Sequence, residues 1–399
     1  MSMTERGAGK REVWITGIGL VSSLGEGLDA HWDALNAGTA PITDAERFAP
    51  YVVHPLVKLN YDSQIPKKGD QRQMEPWQRI GTYAAGLALD SAGIAKNADI
   101  LGRTDMIVGA GGGERDHAVD AAILNDLVGA NEPGRLLNER LLADLRPTLS
   151  LAQLSNLLAG NISIVHGVTG SSRTFMGEES AGVDATRVAH ARIAAGQSEI
   201  ALVGGAYNAE REDMLLLYAL NDFCMTGSFR PVFSQGDAPG IPSGSMGAFL
   251  VLESPEHATA RGAKPIAKLT GVWSERARRN DEGDLAAVIS GLVAKAGSDK
   301  STLVLSGATG ARGATEAERG ALTSAGLPVR ALANRIGHGF EAQFPAALAV
   351  AALTVSRGTL FPVVAGDEVE SGEGSVDRVL VTAVGHWRGE GAALVEKVA

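Results

Sequence analysis

Few residues in this chain of 399 are of a type and spacing that could do chemistry. The only thiol is Cys224, within Asn221-Asp-Phe-Cys-Met-Thr-Gly227. A cysteine becomes a nucleophile where a histidine, a cation or a helix N-terminus favours its thiolate. None is evident beside Cys224, and buried packing is the better assignment. Glu178 and Glu179 are adjacent carboxylates that could share acid/base work. Neighbours on a turn point in different directions, so only one is expected to face any given pocket. The segment Ile15-Thr-Gly-Ile-Gly-Leu-Val-Ser-Ser-Leu-Gly25 begins like a dinucleotide fingerprint, but Ser22 replaces the third glycine and no ribose-binding acid follows. It is expected to be a tight turn after the first strand. Gly109-Ala-Gly-Gly-Gly113 could cradle a phosphate, yet lacks the Lys and Ser/Thr of a P-loop. Its glycines are expected to let the backbone pass close to a neighbouring element.

The elements that must carry these residues follow an α/β rhythm. Apolar strand candidates recur at Val13–Thr16, Asp105–Gly109, Glu199–Gly204, Gly247–Leu252, Ile266–Thr270, Thr302–Ser306, Arg378–Val384 and Gly391–Glu396. Trp77, Ile80, Ala84, Leu87 and Ala88 share one helical face between them. Ala181–Ala195 is alanine-rich with few charges, the pattern of a helix buried on most sides. Met246-Gly-Ala-Phe-Leu-Val-Leu-Glu253 resembles Glu390-Gly-Ala-Ala-Leu-Val-Glu-Lys397. This echo implies two related halves joined near residue 255, at 1–255 and 256–399.

Composition removes several classes of function. The net charge of −10, with no basic cluster, gives a nucleic-acid partner little support and does not favour an anionic membrane surface. No apolar run is long enough for a membrane span, and Met1 to Arg11 is polar and charged, so the protein is expected to be cytoplasmic. One cysteine excludes an internal disulfide, and no Cys/His spacing suits a structural zinc site. No cofactor and no metal are expected. The 50 glycines imply many tight turns and close backbone approaches.

Val13-Trp-Ile-Thr-Gly-Ile-Gly-Leu-Val-Ser-Ser-Leu-Gly25, with Trp32 and Leu35-Asn-Ala-Gly38 behind it, resembles the N-terminal signature of β-ketoacyl-acyl carrier protein synthases. Arg230-Pro-Val-Phe233, Gly247–Glu253 and Glu256–Ala263 are similar to the family's mid-chain block, and Gly337-His338, Arg357-Gly358 and Pro362 to its C-terminal block. The resemblance covers essentially the whole chain in order. It implies a thiolase-like α/β fold, a duplicated five-layer αβαβα architecture. It also implies acyl carrier protein as a partner, and a dimer in which the strand near residues 170–175 pairs across a two-fold axis.

The same resemblance locates the departures. The family's nucleophilic cysteine stands at a strand-to-helix turn; here that turn reads Arg173-Thr-Phe-Met-Gly-Glu-Glu-Ser-Ala-Gly182 and the position is Glu179, which cannot form a thioester. The histidine of the His-Gly-Thr turn becomes Gly307, and the lysine five residues before the Gly-His pair becomes Ala333. His338 matches a catalytic histidine. The Phe that gates the acyl pocket becomes His386, followed by Trp387 and Arg388 in place of small residues. Phe340, Glu341, Gln343 and Phe344 add bulk that should narrow or fill the pocket beneath. Condensation needs a nucleophile and charge-stabilising donors. With three of the four machinery positions changed, the leading expectation is a non-condensing partner or chain-length subunit resembling polyketide chain-length factors. It would work as a homodimer or beside a Cys-bearing ketosynthase. The alternative is an acyltransferase-family enzyme with altered chemistry, decarboxylating malonyl-acyl carrier protein or condensing without the usual cysteine.

Overall fold

The computed structural model describes residues 11–398 apart from 45, 148, 150–152 and 280–281. The first part of the chain supplies β1 (Trp14–Ser22), β2 (Gly25–Glu26), β3 (Val53–His54), β4 (Asp105–Gly109), β5 (Ser172–Phe175), β6 (Ile200–Tyr207), β7 (Ser243–Gly244) and β8 (Met246–Glu253). The remainder supplies β9 (Ala267–Glu275), β10 (Leu303–Ser306), β11 (Val329–Ala331), β12 (Arg378–Val384) and β13 (Glu390–Glu396).

Apart from the two-residue strands, the first set lies in the order β1-β8-β6-β4-β5 and the second in the order β9-β13-β12-β10-β11. Counted within each set, both read first, fifth, fourth, second, third. Strand directions repeat as well. β4 is parallel to β5 and β6, while β8 is antiparallel to β6 and β1. β10 is parallel to β11 and β12, while β13 is antiparallel to β12 and β9. The sets join where Trp14 and Ile15 pair with Lys268 and Ala267. The octapeptides that echo one another lie on β8 and β13, the fifth strand of each set. We propose residue 255, at the first turn of helix Pro255–Ala260 between β8 and β9, as the boundary of the two halves.

Helices Glu179–Ala194 and Gln343–Arg357 form the middle layer, the first against β4, β6 and β9 and the second against β8, β12 and β13. Pro76–Ser91 and Leu157–His166 cover the outer face of the first set, and Glu282–Lys295 and Arg312–Ala325 that of the second. The layers are therefore αβαβα. The sequence explains the placement: β6 and β8 are buried at every residue and read as unbroken apolar runs. Gln343–Arg357 is apolar all round and buried from Gln343 to Val355, as a helix between two sheets must be. Pro76 opens its helix at a capping box between Glu75 and Gln78.

One expectation needs correction. Gly17 and Gly19 are inside β1, not in a turn after it. A Cβ at Gly19 would stand 1.9 Å from the Ala84 carbonyl and one at Gly17 2.5 Å from that of Ala88. The two glycines let helix Pro76–Ser91 lie directly on the strand. Gly111 behaves as expected, with an added Cβ 2.8 Å from Glu341 Oε1.

Candidate functional site

β5 leads into the first central helix through Met176, Gly177 and Glu178. Glu178 has φ 55° and ψ −131°, a conformation that residues with a Cβ rarely adopt. This sharp turn makes Glu179 the first residue of the helix, 2% exposed, where the positive end of the helix dipole favours a negative charge. Glu179 Oε1 accepts three hydrogen bonds: from His338 Nε2 at 3.0 Å, His386 Nδ1 at 2.9 Å and the His386 backbone N–H at 3.2 Å. Its other oxygen, Oε2, is buried without a partner, as is His338 Nδ1.

Burial disfavours the Glu179 carboxylate, but the hydrogen bonds and positive charge of the two imidazoles outweigh it and hold its pKa well below the usual carboxylate range. Burial likewise opposes charge on His386. The Glu179 hydrogen bond and the charges of Glu179 and Glu178 prevail and raise its pKa above 6.5. Glu178 Oε1 stands 3.9 Å from His386 Nε2. The imidazole thus lies between both carboxylates, and the expectation that only one would face a given pocket fails. The positive φ of Glu178 is the reason: it turns two neighbouring side chains toward one ring.

Each histidine is held by backbone. His338 follows Gly337, whose φ is 73°, and pairs with β7 through His338 N–H to Pro242 O at 2.6 Å and Gly244 N–H to His338 O at 2.9 Å. The loop carrying His386 closes through Gly385 N–H to Gly389 O at 2.8 Å. Arg279 fastens it, donating Nη2 to Gly385 O at 2.8 Å and to the buried Glu390 carboxylate.

Beneath the ion pair the space is aromatic. Phe340 is stacked on Tyr218 at 4.5 Å and tilted on Tyr207 at 4.8 Å, with its edge contacts to His338 at 4.9 Å and His386 at 5.6 Å. Phe344 is also fully buried, on the middle helix layer. Above, His386 lines a cavity of about 400 Å³ together with Phe223, Arg279, Arg312 and Trp387. Trp387 is 63% exposed and forms its rim, so it does not fill the pocket as a gate residue would.

The fold therefore gathers Glu179, His338, His386 and Phe340. Gly307 and Ala333 pack elsewhere. A Cβ at Gly307 would stand 2.4 Å from Thr382 O of β12, leaving no room for a histidine without backbone movement. Ala333 is part of an apolar cluster with Ala308, Val304 and Leu380. Cys224 is buried, its Sγ 3.6 Å from Leu215 O, and burial pushes its thiol up to about 11.

Sequence reasoning missed several contributors. Glu318, fully buried, accepts from Ser306 Oγ at 2.9 Å and Thr382 Oγ1 at 2.5 Å, and burial pushes its carboxyl up to about 7. Thr382 Oγ1 also accepts from Gly307 N–H at 3.1 Å, so Glu318 underpins the altered turn. Burial, with the charges of Glu179 and Glu178, raises Glu341 to about 7. Tyr218, Phe223 and Arg279 were not singled out either.

Comparison with known proteins gives this geometry a context. The chain is similar in fold to the ishigamide ketosynthase/chain length factor, with a TM-score of 0.79 at 21% identity over 98% of this chain and 100% of that one. It is also similar to a β-ketoacyl synthase from Burkholderia phymatum, with a TM-score of 0.78 at 20% identity over 98% and 100% of the two chains. The architecture is the thiolase-like α/β fold of ketosynthases. The family model for the beta-ketoacyl synthase N-terminal domain matches residues 10–258, and the chain belongs to the β-ketoacyl synthase family. Among curated relatives, 3-oxoacyl-[acyl-carrier-protein] synthase 2 of Vibrio cholerae is 27% identical over 270 residues, 66% of this chain and 62% of that protein. The same-named protein of Rhizobium meliloti is 28% identical, over 65% of this chain and 63% of its own length. These matches thus span under two thirds of the relatives. No helix among the described residues is long and apolar enough to cross a membrane.

Proposed function

We propose that this chain is a non-condensing subunit of fatty-acid or polyketide-type chain elongation, acting as a homodimer or beside a Cys-bearing ketosynthase and helping to set acyl chain length. One observation carries the reading: the nucleophile position holds a carboxylate locked by two histidines, with Phe340 and its tyrosines packed beneath. A carboxylate held well below its usual pKa by three donors is a weak base and a weak nucleophile. The histidine position at Gly307 has no space for the side chain that the chemistry needs. Removing one charge-stabilising donor typically costs about a hundredfold or more in rate, and here two positions have lost theirs.

Acyl carrier protein is the proposed partner. One solved structure similar in fold, with a TM-score of 0.73 at 17% identity, is of a type II polyketide acyl carrier protein in complex with its ketosynthase. On this chain Arg279 and Arg312 line the cavity beside His386, and Arg388 follows Trp387, placing positive charge at the mouth of an otherwise acidic protein. We place the protein in the cytoplasm.

A second reading rests on the Glu179–His386 pair, whose imidazole lines the cavity: an enzyme that decarboxylates malonyl-acyl carrier protein. Two assays separate the readings. The purified chain should show no condensation of an acyl primer, and Glu179→Cys alone should not restore it, because Gly307 and Ala333 remain. Released carbon dioxide from malonyl-acyl carrier protein, lost in Glu179→Ala, would replace the first reading with the second. Co-purification with Cys-bearing relatives, followed by product-length analysis of His386→Phe and Phe344→Gly, tests the chain-length role; unchanged products with every partner would remove it.

A further inference from the structure

Ligand atoms from Glu178, Glu179 and His386 lie within 4.8 Å of one another. We propose that these three residues bind a divalent transition-metal ion of the zinc or manganese class beside the cavity that His386 lines. Two carboxylates and an imidazole suit such ions, and their two negative charges match the ion's two positive ones.

Proximity of acids alone would not carry this. The independent observation is Glu179 Oε2, an oxygen of a residue 2% exposed that has no hydrogen-bond partner, although Oε1 of the same carboxylate accepts three. A buried acceptor left bare is costly, and a cation satisfies it. Ligands at about 2.0–2.2 Å from an ion stand about 3–4 Å apart, so side-chain adjustment of about an ångström closes the set. Glu178 is half-buried on a turn and free to make it.

The surroundings resemble the outer shell of a metal site. Ligands there are oriented by further hydrogen bonds. His338 donates to Glu179, and Arg279 holds the His386 loop through Gly385 O. Arg279 and Arg312 line the same cavity as His386, a place for a carbonyl or carboxylate oxygen of a ligand. The ligands come from positions 207 residues apart, so no local spacing announces them. The proposal does not depend on the partner-subunit reading, since a structural ion and a catalytic one would use the same residues.

The test uses the full chain, stripped with a chelator, dialysed, and titrated calorimetrically with zinc chloride and separately with manganese chloride, with metal content measured by mass spectrometry. One ion per chain is expected, with binding at least ten- to hundredfold weaker in Glu178→Gln and in His386→Ala. Asp33→Asn, on an exposed helix face, should bind as the parent does. Glu178→Gln alters a half-buried turn residue and serves if His386→Ala does not fold. No saturable binding, or equal binding by Glu178→Gln and the parent chain, overturns the site.

Discussion

The third strand of each five-strand set lies at an outer edge of the sheet, and the two edges are finished differently. β11 is buried throughout; its free side exchanges hydrogen bonds with Ser371, Val329 N–H to Ser371 O at 3.3 Å and Ser371 N–H to Val329 O at 3.2 Å. Arg330, 1% exposed, donates to the carbonyls of Phe361, Val329, Ser371 and Gly372 and ties the covering segment down. β5 has nothing comparable: Ser172 and Arg173 are exposed, Thr174 is half-buried, and among the described residues no strand pairs on its far side. Met176 beyond it is 63% exposed, and Ile164, on the helix packed against β5, is 71% exposed. One half closes its edge with its own chain. The other leaves a row of unpaired backbone groups beside apolar side chains, an aggregation hazard unless covered, which supports the dimer proposed above.

The largest effect should come from blocking the open edge. Ser171 and Phe175 point their carbonyls at β4, so by alternation the N–H and C=O of Thr174 point outward. Thr174→Pro removes an outward donor and leaves the ladder to β4 intact. Light scattering should find the parent chain dimeric at micromolar concentration, with an interface above the roughly 2,000 Å² of permanent assemblies, and the variant monomeric or aggregating. A variant that keeps its circular dichroism and remains dimeric would show that the open edge is not the interface.

The closed edge should respond in stability and not in assembly. Arg330→Ala leaves four carbonyls without a charged donor, at about 1 kcal/mol or more each, so a loss of about 4 kcal/mol is expected in denaturant unfolding. If Arg330→Ala instead dissociates the dimer with its fold unchanged, the two edges have been assigned the wrong way round.

The same contrast shows how far the amino-acid order could be read. Long apolar strands such as β6, β8, β12 and β13 announce themselves because they are buried on both faces. β5 is polar and β11 spans three residues, so neither carries a periodic signal, and strand order depends on long-range pairing that no local pattern encodes. Glu179, His338 and His386 were located through resemblance, because the family's loops occur in the same order. The part played by Glu178 was hidden in a single backbone angle. Arg279 was equally illegible: it is one of several arginines between Arg276 and Arg279, and only the folded chain shows which one turns toward Gly385 and Glu390. Glu318 could have been found. It falls on the same face of helix Arg312–Ala325 as Ala314, Ala321 and Leu322, three or four residues away, where a carboxylate is out of place.

That buried acid gives the smallest of these effects and the one most specific to the second half. Between pH 4.5 and about 7 the folded chain keeps the Glu318 proton while the unfolded chain has lost it, so stability falls as pH rises through this range. A difference of about 2.5 units at 1.36 kcal/mol each places the penalty above pH 7 at about 3 kcal/mol. His386 acts in the same direction, because its raised value makes its ion pair fully effective below pH 6.5 and progressively lost above it. Glu341 adds to the slope as well, rising to about 7. Glu179 works at the other limb, where its contribution is present above pH 4.5 and fades only as pH falls toward its depressed value. Glu318→Gln removes one contributor to the alkaline slope while keeping an oxygen for Ser306 and Thr382. Thermal unfolding should show little change at pH 4.5 and a gain of up to roughly 4 °C at pH 8, the equivalent of about 3 kcal/mol in a chain of this length. Equal melting shifts at both pH values would mean that Glu318 is ionised in the folded protein, and that the turn at Gly307 is held by a charge and not by a neutral acid.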